Sequence, residues 1–280
     1  MRILCLHGYG TTPEIMKRQM SLLLKICDPK WEFHFLEAKV PCRPAPGIPK
    51  DTAGPFLCWT EDFGQAENRA ALDLIHHTFT TEGPFDGVFG FSQGASMIAA
   101  YFLEQAALHP DQPLPVRFAI FASPPPILAT DNGYVESAYG SLSSTNLRYL
   151  QSASLESTVH LPEPARASAT LLIETLTLMN PVHGKSVSYF FNRPEPDIPC
   201  VMLPGAYAAR LGIPTLHVLA RDDPVPLQRS SEICREFCDP TRLRVFEHSA
   251  VHGLPREPRE VGALAELMVG VGEGGRGSKL

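Results

Sequence analysis

The chain has 280 residues, a formal net charge of −6 and 44% hydrophobic residues. That is enough apolar material for one large domain with a full core, or for two small ones. No Lys/Arg-rich block is present, which disfavours nucleic-acid binding, and no apolar run approaches the roughly 18 residues that a membrane span needs. Met1-Arg2 leads directly into Ile3-Leu4-Cys5-Leu6, which reads as a first core strand with no secretory signal before it. Further short apolar runs, rich in β-branched and aromatic residues, read as strands at Glu32–Leu36, Gly87–Phe91, Phe118–Ala122, Thr215–Ala220 and Arg242–Phe246. Between them, helical periodicity covers Pro13–Cys27, Glu61–Phe79, Ser92–Leu108, Leu227–Phe237 and Arg259–Val269. Strands alternating with helices predict an α/β fold, a mostly parallel sheet covered on both faces, with its ligand site at the carboxyl ends of the strands.

Two segments interrupt the alternation. Pro41 to Phe56 is proline-rich and reads as an ordered loop near that site. Residues 123–212 form an insertion that opens on Pro124-Pro125-Pro126 and carries one clear helix, Pro164–Met179, then Tyr189-Phe190-Phe191 and Pro194-Glu195-Pro196. It is expected to be a cap or pocket wall on a single domain of residues 1–270. Its Phe190, Phe191, Met202 and Leu203 are expected to supply an apolar substrate surface. Residues 271–280 follow Gly270 and continue a glycine-rich run that is expected to be a loose tail. The tail ends Ser278-Lys279-Leu280, a tripeptide read by the peroxisomal import receptor, so a peroxisomal location is expected, and a cytoplasmic one otherwise.

The seven cysteines (Cys5, Cys27, Cys42, Cys58, Cys200, Cys234 and Cys238) are odd in number and contain no CxxC. They read as reduced, mostly buried thiols of an intracellular protein, with Cys234 and Cys238 on one helix face. No cysteine and histidine cluster has the spacing of a metal site, and none is assigned.

The chemistry concentrates around Gly90-Phe91-Ser92-Gln93-Gly94, a Gly-x-Ser-x-Gly pattern between an apolar strand and a helix-forming stretch. A serine on such a turn is exposed above the sheet, and the flanking glycines let the backbone turn that sharply. A serine hydroxyl is a poor nucleophile without a base and a group to orient that base. His252, in a turn-rich stretch after the last strand, is the base candidate, with His248 as a competitor closer to the strand. Asp223 is the acid candidate, with adjacent Asp222 kept as an alternative. The order serine, acid, histidine is that of an α/β-hydrolase. Backbone N–H groups of Gln93, at its helix N-terminus, and of Tyr9, in His7-Gly8-Tyr9-Gly10 after the first strand, are candidates for an oxyanion hole. His7 itself reads as a structural hydrogen-bonding residue. Such a site requires no cofactor.

Five stretches together resemble the fungal FSH1-type serine hydrolases. They are Leu4-Cys5-Leu6-His7-Gly8-Tyr9-Gly10, Cys58-Trp59, Phe85 to Ala95, Asp223-Pro224 with Arg229-Ser230, and His252-Gly253-Leu254-Pro255. The similarity spans about residues 1–265. It implies an α/β-hydrolase with a Ser-Asp-His triad, carried over to Ser92, Asp223 and His252. It also implies esterase or thioesterase activity in a fungal secondary-metabolite pathway, toxin pathways included. The expected substrate is an ester or thioester of an apolar, polyketide-like or fatty acyl group, with acyl-CoA or a carrier-protein-bound acyl as options. Transfer of the same acyl group to an alcohol or amine is an alternative, as is an idle hydrolase fold that only binds. The chain departs from the family at Ala220, where glycine is usual, and at Ser123-Pro124-Pro125-Pro126, where a glycine-rich turn is expected.

Overall fold

The computed structural model describes residues 1–194 and 197–274. The chain begins with β1 (Arg2–Leu6), α1 (Pro13–Gln19), α2 (Ser21–Ile26) and β2 (Glu32–Leu36). A short antiparallel pair, β3 (Val40–Pro41) and β4 (Leu57–Cys58), brackets the proline-rich loop and precedes α3 (Gln65–Thr81). Then come β5 (Gly87–Phe91), α4 (Gln93–Leu108) and β6 (Phe118–Ala122). The insertion holds α5 (Asn132–Val135), which runs into a π-helical turn at Glu136–Gly140, then α6 (Ser144–Gln151), α7 (Leu155–Thr158), α8 (Ala165–His183) and α9 (Val187–Phe191). β7 (Thr215–Ala220), α10 (Val225–Glu236), β8 (Leu243–His248) and α11 (Pro258–Gly274) complete the chain.

Six strands form one parallel sheet in the order β2-β1-β5-β6-β7-β8. Alternation along each strand divides the core in two. Leu4, Leu6, Val88, Ala119 and Phe121 join α3, α4 and α8 on one face. Ile3, Cys5, Phe89, Phe118, Ile120, Leu216 and Val218 join α1, α2 and α11 on the other. Burial on both faces is why β5 and β6 read as continuous apolar runs. Among the described residues, no helix is long and apolar enough to cross a membrane.

Several sequence expectations need correction. The helix expected over Pro13–Cys27 is broken at Met20, whose backbone (φ −87°, ψ 1°) ends α1 and starts α2. The break keeps Met16, Met20 and Leu23 together in the core. The last strand lies at Leu243–His248 rather than Arg242–Phe246, because each residue from Thr215 to Ala220 takes a partner in it, ending at His248. The loose tail does not begin at 271. α11 continues to Gly274, and Val271 is 2% exposed because it belongs to the core under the sheet. Cys238 falls beyond the end of α10, yet stays buried and donates to the Cys234 carbonyl at 3.4 Å. All seven cysteines are free thiols, Cys42 alone only half-buried. Glu195, Pro196 and Ser278-Lys279-Leu280 lie outside the described residues.

The insertion is more structured than one helix, and its stem is fastened. Outgoing and returning chains meet at the Leu128–Val201 antiparallel bridge, with Ala129 N–H donating to Cys200 O and Met202 N–H to Ile127 O, both at 2.8 Å. An ion pair between half-exposed Arg69 and buried Glu104 stands beside this stem. Arg69 on α3 donates to both oxygens of Glu104 on α4, and Thr130 Oγ1 donates to the same carboxylate at 2.6 Å. The fork geometry compensates for removing the charges from water.

His217, on β7, is fully buried beside Phe121 (centroids 5.4 Å), and neither ring nitrogen has a hydrogen-bond partner among the described residues. Burial first, and then the charge of Arg235, pulls its pKa from 6.5 down to about 3. Below pH 6.5 the unfolded chain takes up a proton that the folded chain refuses. The stability contribution is complete above pH 6.5 and is lost as pH falls toward 3. At pH 5 the loss from this one group should be about 2 kcal/mol. Denaturant unfolding at pH 7 and pH 5 should show it, and His217→Leu should shrink the difference by that amount. An undiminished difference in His217→Leu would assign the acid sensitivity elsewhere.

Candidate active site

A one-residue turn between β5 and α4 places Ser92. β5 ends at Phe91 and α4 begins at Gln93, so Ser92 alone must reverse the backbone, at φ 49° and ψ −122°. This is a strained conformation for a residue with a side chain. Its N–H is tied to Ala122 O at 2.8 Å, and its carbonyl accepts from Ala95 (2.9 Å) and Ser96 (3.2 Å). The flanking glycines are there for space. A Cβ on Gly90 would stand 2.5 Å from Ala95 Cα, and one on Gly94 would stand 2.4 Å from Leu6 O. The first strand of α/β packing and the nucleophile turn therefore touch through backbone alone.

The other two residues come from the ends of β7 and β8, beyond β6 in the sheet. Asp223 follows β7, with its N–H bonded to Ala220 O at 3.2 Å and its carbonyl held by Gln228 Nε2 at 2.7 Å. It is 5% exposed, whereas Asp222 beside it faces solvent. His252 sits in the turn after β8, also at positive φ (31°). Its Nε2 lies 3.0 Å from Ser92 Oγ, and its Nδ1 lies 3.0 Å from Asp223 Oδ1. With Nδ1–H donating to the carboxylate, Nε2 is left to accept from the serine hydroxyl. His248 takes another part. It is buried, its Nδ1 accepts from Ala250 N–H at 3.2 Å, and burial lowers its pKa. It supports the turn that presents His252.

Next to Ser92 run the first-strand loop and the β3–β4 pair. His7 is fully buried, and Ala38 N–H donates to its Nε2 at 3.2 Å. The proton is therefore on Nδ1, which lies 2.9 Å from Gly8 O and 3.1 Å from Thr11 Oγ1. Burial keeps the ring neutral by lowering its pKa. Trp59 Nε1 donates to His7 O at 2.8 Å. His7 is thus a fastener between β1, the chain after β2, and Trp59. Gln93 has a second task that sequence reasoning missed. Its side-chain amide accepts from Trp59 N–H at 2.9 Å and donates to Thr60 O at 2.6 Å. Among the described residues neither the Gln93 nor the Tyr9 backbone N–H has an intramolecular acceptor, so both donors remain for a ligand.

An apolar cavity starts at Ser92 and His252. The insertion contributes Leu172, Thr175, Leu176 and Met179, one face of α8 at i, i+3, i+4 and i+7. Pro125, Pro126 and Leu128 add to it, and Met97 and Phe63 belong to the main fold. The insertion is therefore a pocket wall, but not through the residues expected. Phe190, Phe191 and Met202 are buried in the body of the core, and Leu203 packs against it. None of the four lines the cavity. Aromatic and apolar content does not separate pocket lining from core packing, which uses it equally. The periodic apolar face of α8 was the better signal.

A family described as serine hydrolase (FSH1) matches residues 1–264. Serine hydrolase cnsH of Penicillium expansum is 38% identical over 215 residues, 77% of this chain and 89% of that protein. Esterase alnB of Emericella nidulans is 31% identical over 268 residues, 94% of this chain and 93% of that protein. Among solved structures, esterase RhEst1 of Rhodococcus is similar in fold, with a TM-score of 0.50, 15% identity and coverage of 97% of this chain and 91% of that one.

Loss of Ser92 or His252 removes nucleophile or base from a unit that acts as one. Ser92→Ala and His252→Ala should each lower kcat on an activated ester by at least about a thousandfold, with melting temperatures close to that of the parent. Asp223→Asn, which forces the wrong tautomer, should cost about ten-thousandfold, and Asp222→Asn little. A damaging Asp222→Asn beside a mild Asp223→Asn would reverse the assignment of the acid.

Proposed function

The chain belongs to the FSH1 family of serine hydrolases, and from that premise we propose that it hydrolyses a carboxylic ester or thioester of an apolar acyl group through an acyl-enzyme. The observation that carries this reading is the Ser92–His252–Asp223 relay opening directly on an apolar cavity. Ser92 Oγ attacks the acyl carbonyl carbon while His252 Nε2 takes the hydroxyl proton. The carbonyl oxygen becomes an oxyanion, received by the N–H groups of Gln93 and Tyr9. Collapse breaks the bond to the leaving oxygen or sulfur, which departs with the proton from His252. Water then attacks the acyl-enzyme and gives its proton to the same nitrogen; the acyl–Oγ bond breaks and His252 passes that proton to Ser92 Oγ, releasing the acid and the free serine. Asp223 holds the imidazole and stabilises it while it is charged.

The apolar lining favours an aliphatic or polyketide-like acyl group, because a polar one would leave its hydrogen-bonding groups unpaired there. A thioester substrate in a fungal secondary-metabolite pathway, acyl-CoA in particular, is the finer form of the proposal. It is supported by the family likeness and by the Ser278-Lys279-Leu280 ending. A fluorophosphonate probe should label the parent protein and fail to label Ser92→Ala, and acyl-CoA and p-nitrophenyl esters of medium acyl length should be turned over faster than acetyl ones. A folded parent protein that takes no label would make it a binding protein on a hydrolase scaffold.

The peroxisomal setting is proposed from the sequence alone. A fluorescent protein fused ahead of residue 1 should accumulate in peroxisomes and become diffuse when Ser278-Lys279-Leu280 is removed. Diffuse fluorescence with the tripeptide in place would rule the address out.

A further inference from the structure

One pocket-lining residue stands apart in how it is held. Phe63 lies between β4 and α3, lines the cavity over Ser92, and has φ 56°. A bulky aromatic residue rarely adopts that backbone conformation, so its surroundings must impose it. They do so through hydrogen bonds on either side. Glu67 Oε2 accepts from Glu61 N–H at 2.9 Å and from Asp62 N–H at 2.7 Å. Arg193 Nη1 donates to Asp62 O at 2.8 Å, and Asn68 Nδ2 donates to Phe63 O at 3.1 Å. The Asp62 carboxylate is paired with Lys185 and accepts from Tyr189 Oη at 3.1 Å, with Arg193 at 3.7 Å. Tyr189 is in turn covered by the Lys185 and Arg193 cations at 4.9 and 4.6 Å from its ring centre.

Lys185, Tyr189 and Arg193 belong to α9 and its flanks, in the insertion, whereas Glu67 and Asn68 belong to α3. The turn is gripped from both sides. The Phe63 ring has Phe190 behind it, fully buried, at 5.4 Å between centroids. With Phe190 filling that side, the ring has no room to retreat from the cavity.

We propose that Phe63 is a specificity-determining residue, a fixed ring that limits the size of the acyl group reaching Ser92, and that Asp62 is its positioning residue. The inference rests on the hydrolase reading above. A ring held in this way rejects long or branched acyl groups by overlap, and its removal opens the cavity toward Phe190.

The test is kcat/KM on p-nitrophenyl esters from acetate to palmitate, which varies the acyl group at a constant leaving group. Phe63→Ala should raise the ratio of long-chain to acetate kcat/KM by about tenfold or more, and Phe63→Trp should lower it comparably. Phe63→Leu, intermediate in size, should fall between the parent and Phe63→Ala, and it keeps the series readable if Phe63→Ala does not fold. Asp62→Ala should move the ratio in the direction of Phe63→Ala, because a released turn lets the ring swing away. Ratios indifferent to every Phe63 variant, in a parent that turns the esters over, would overturn the inference and leave the hydrolase reading standing. So would a response confined to changes of the alcohol at constant acyl group, since the ring would then face the leaving group. Turnover that survives Ser92→Ala would overturn both.

Discussion

The fold depends on one close approach, that of α4 to the end of β1. Gly94 brings the first turn of α4 within van der Waals contact of the Leu6 and His7 carbonyls, with no side chain between them. That contact requires Ser92 to turn in one residue, and the turn sets Ser92 Oγ at the carboxyl edge of the sheet. It also brings the Gln93 N–H beside the loop that carries the Tyr9 N–H. Placement of Ser92 and of the Gln93 N–H are thus one geometric event. The strain at Ser92 is borne by a helix and two strands that are almost wholly buried, so the cost falls on folding and not on each turnover.

Electrostatics add little to the positioning of the relay and much to its rigidity. Asp223 is held through its own backbone, by Ala220 and Gln228, before it contacts His252. Two of the buried histidines are neutral fasteners: His7 ties three segments together, and His248 braces the turn that carries His252. Burial drives both toward the uncharged form. In a parallel sheet buried on both faces, a neutral ring costs less than a charged one.

Apolar runs made the four central strands readable in the sequence, because β1, β5, β6 and β7 are buried on both faces and carry little else, whereas the edge strands β2 and β8 are partly exposed. The relay was readable because its chemistry forces residue types into a fixed order: small–x–serine–x–small, then an acid, then a histidine. Asp222 and Asp223 could not be separated that way. Adjacent residues share every sequence signal; burial, the backbone hydrogen bonds to Ala220 and Gln228, and the contact with His252 Nδ1 single out Asp223 in the structure. The pocket wall was misplaced for a related reason, since apolar content does not say whether a ring faces a cavity or fills the core. Phe190 and Phe191 fill it. The break at Met20 and the persistence of α11 past residue 270 depend on packing partners far away in the chain, Phe118 and Met1 among them. Helix propensity alone does not report those contacts.

The Leu128–Val201 bridge has a wider consequence. Some seventy residues leave and return through a single laced gate, and the triad lies wholly outside it. Chain within the gate can lengthen, shorten or change its sequence while the strand ends that hold Ser92, Asp223 and His252 stay in register. Divergence in this lineage can therefore proceed on two clocks. The reacting centre is constrained by backbone contacts that tolerate almost no change. The α8 wall of the chamber above it is freer to drift toward new acyl groups. A scaffold divided in this way suits an enzyme whose chemistry is constant and whose substrate is not.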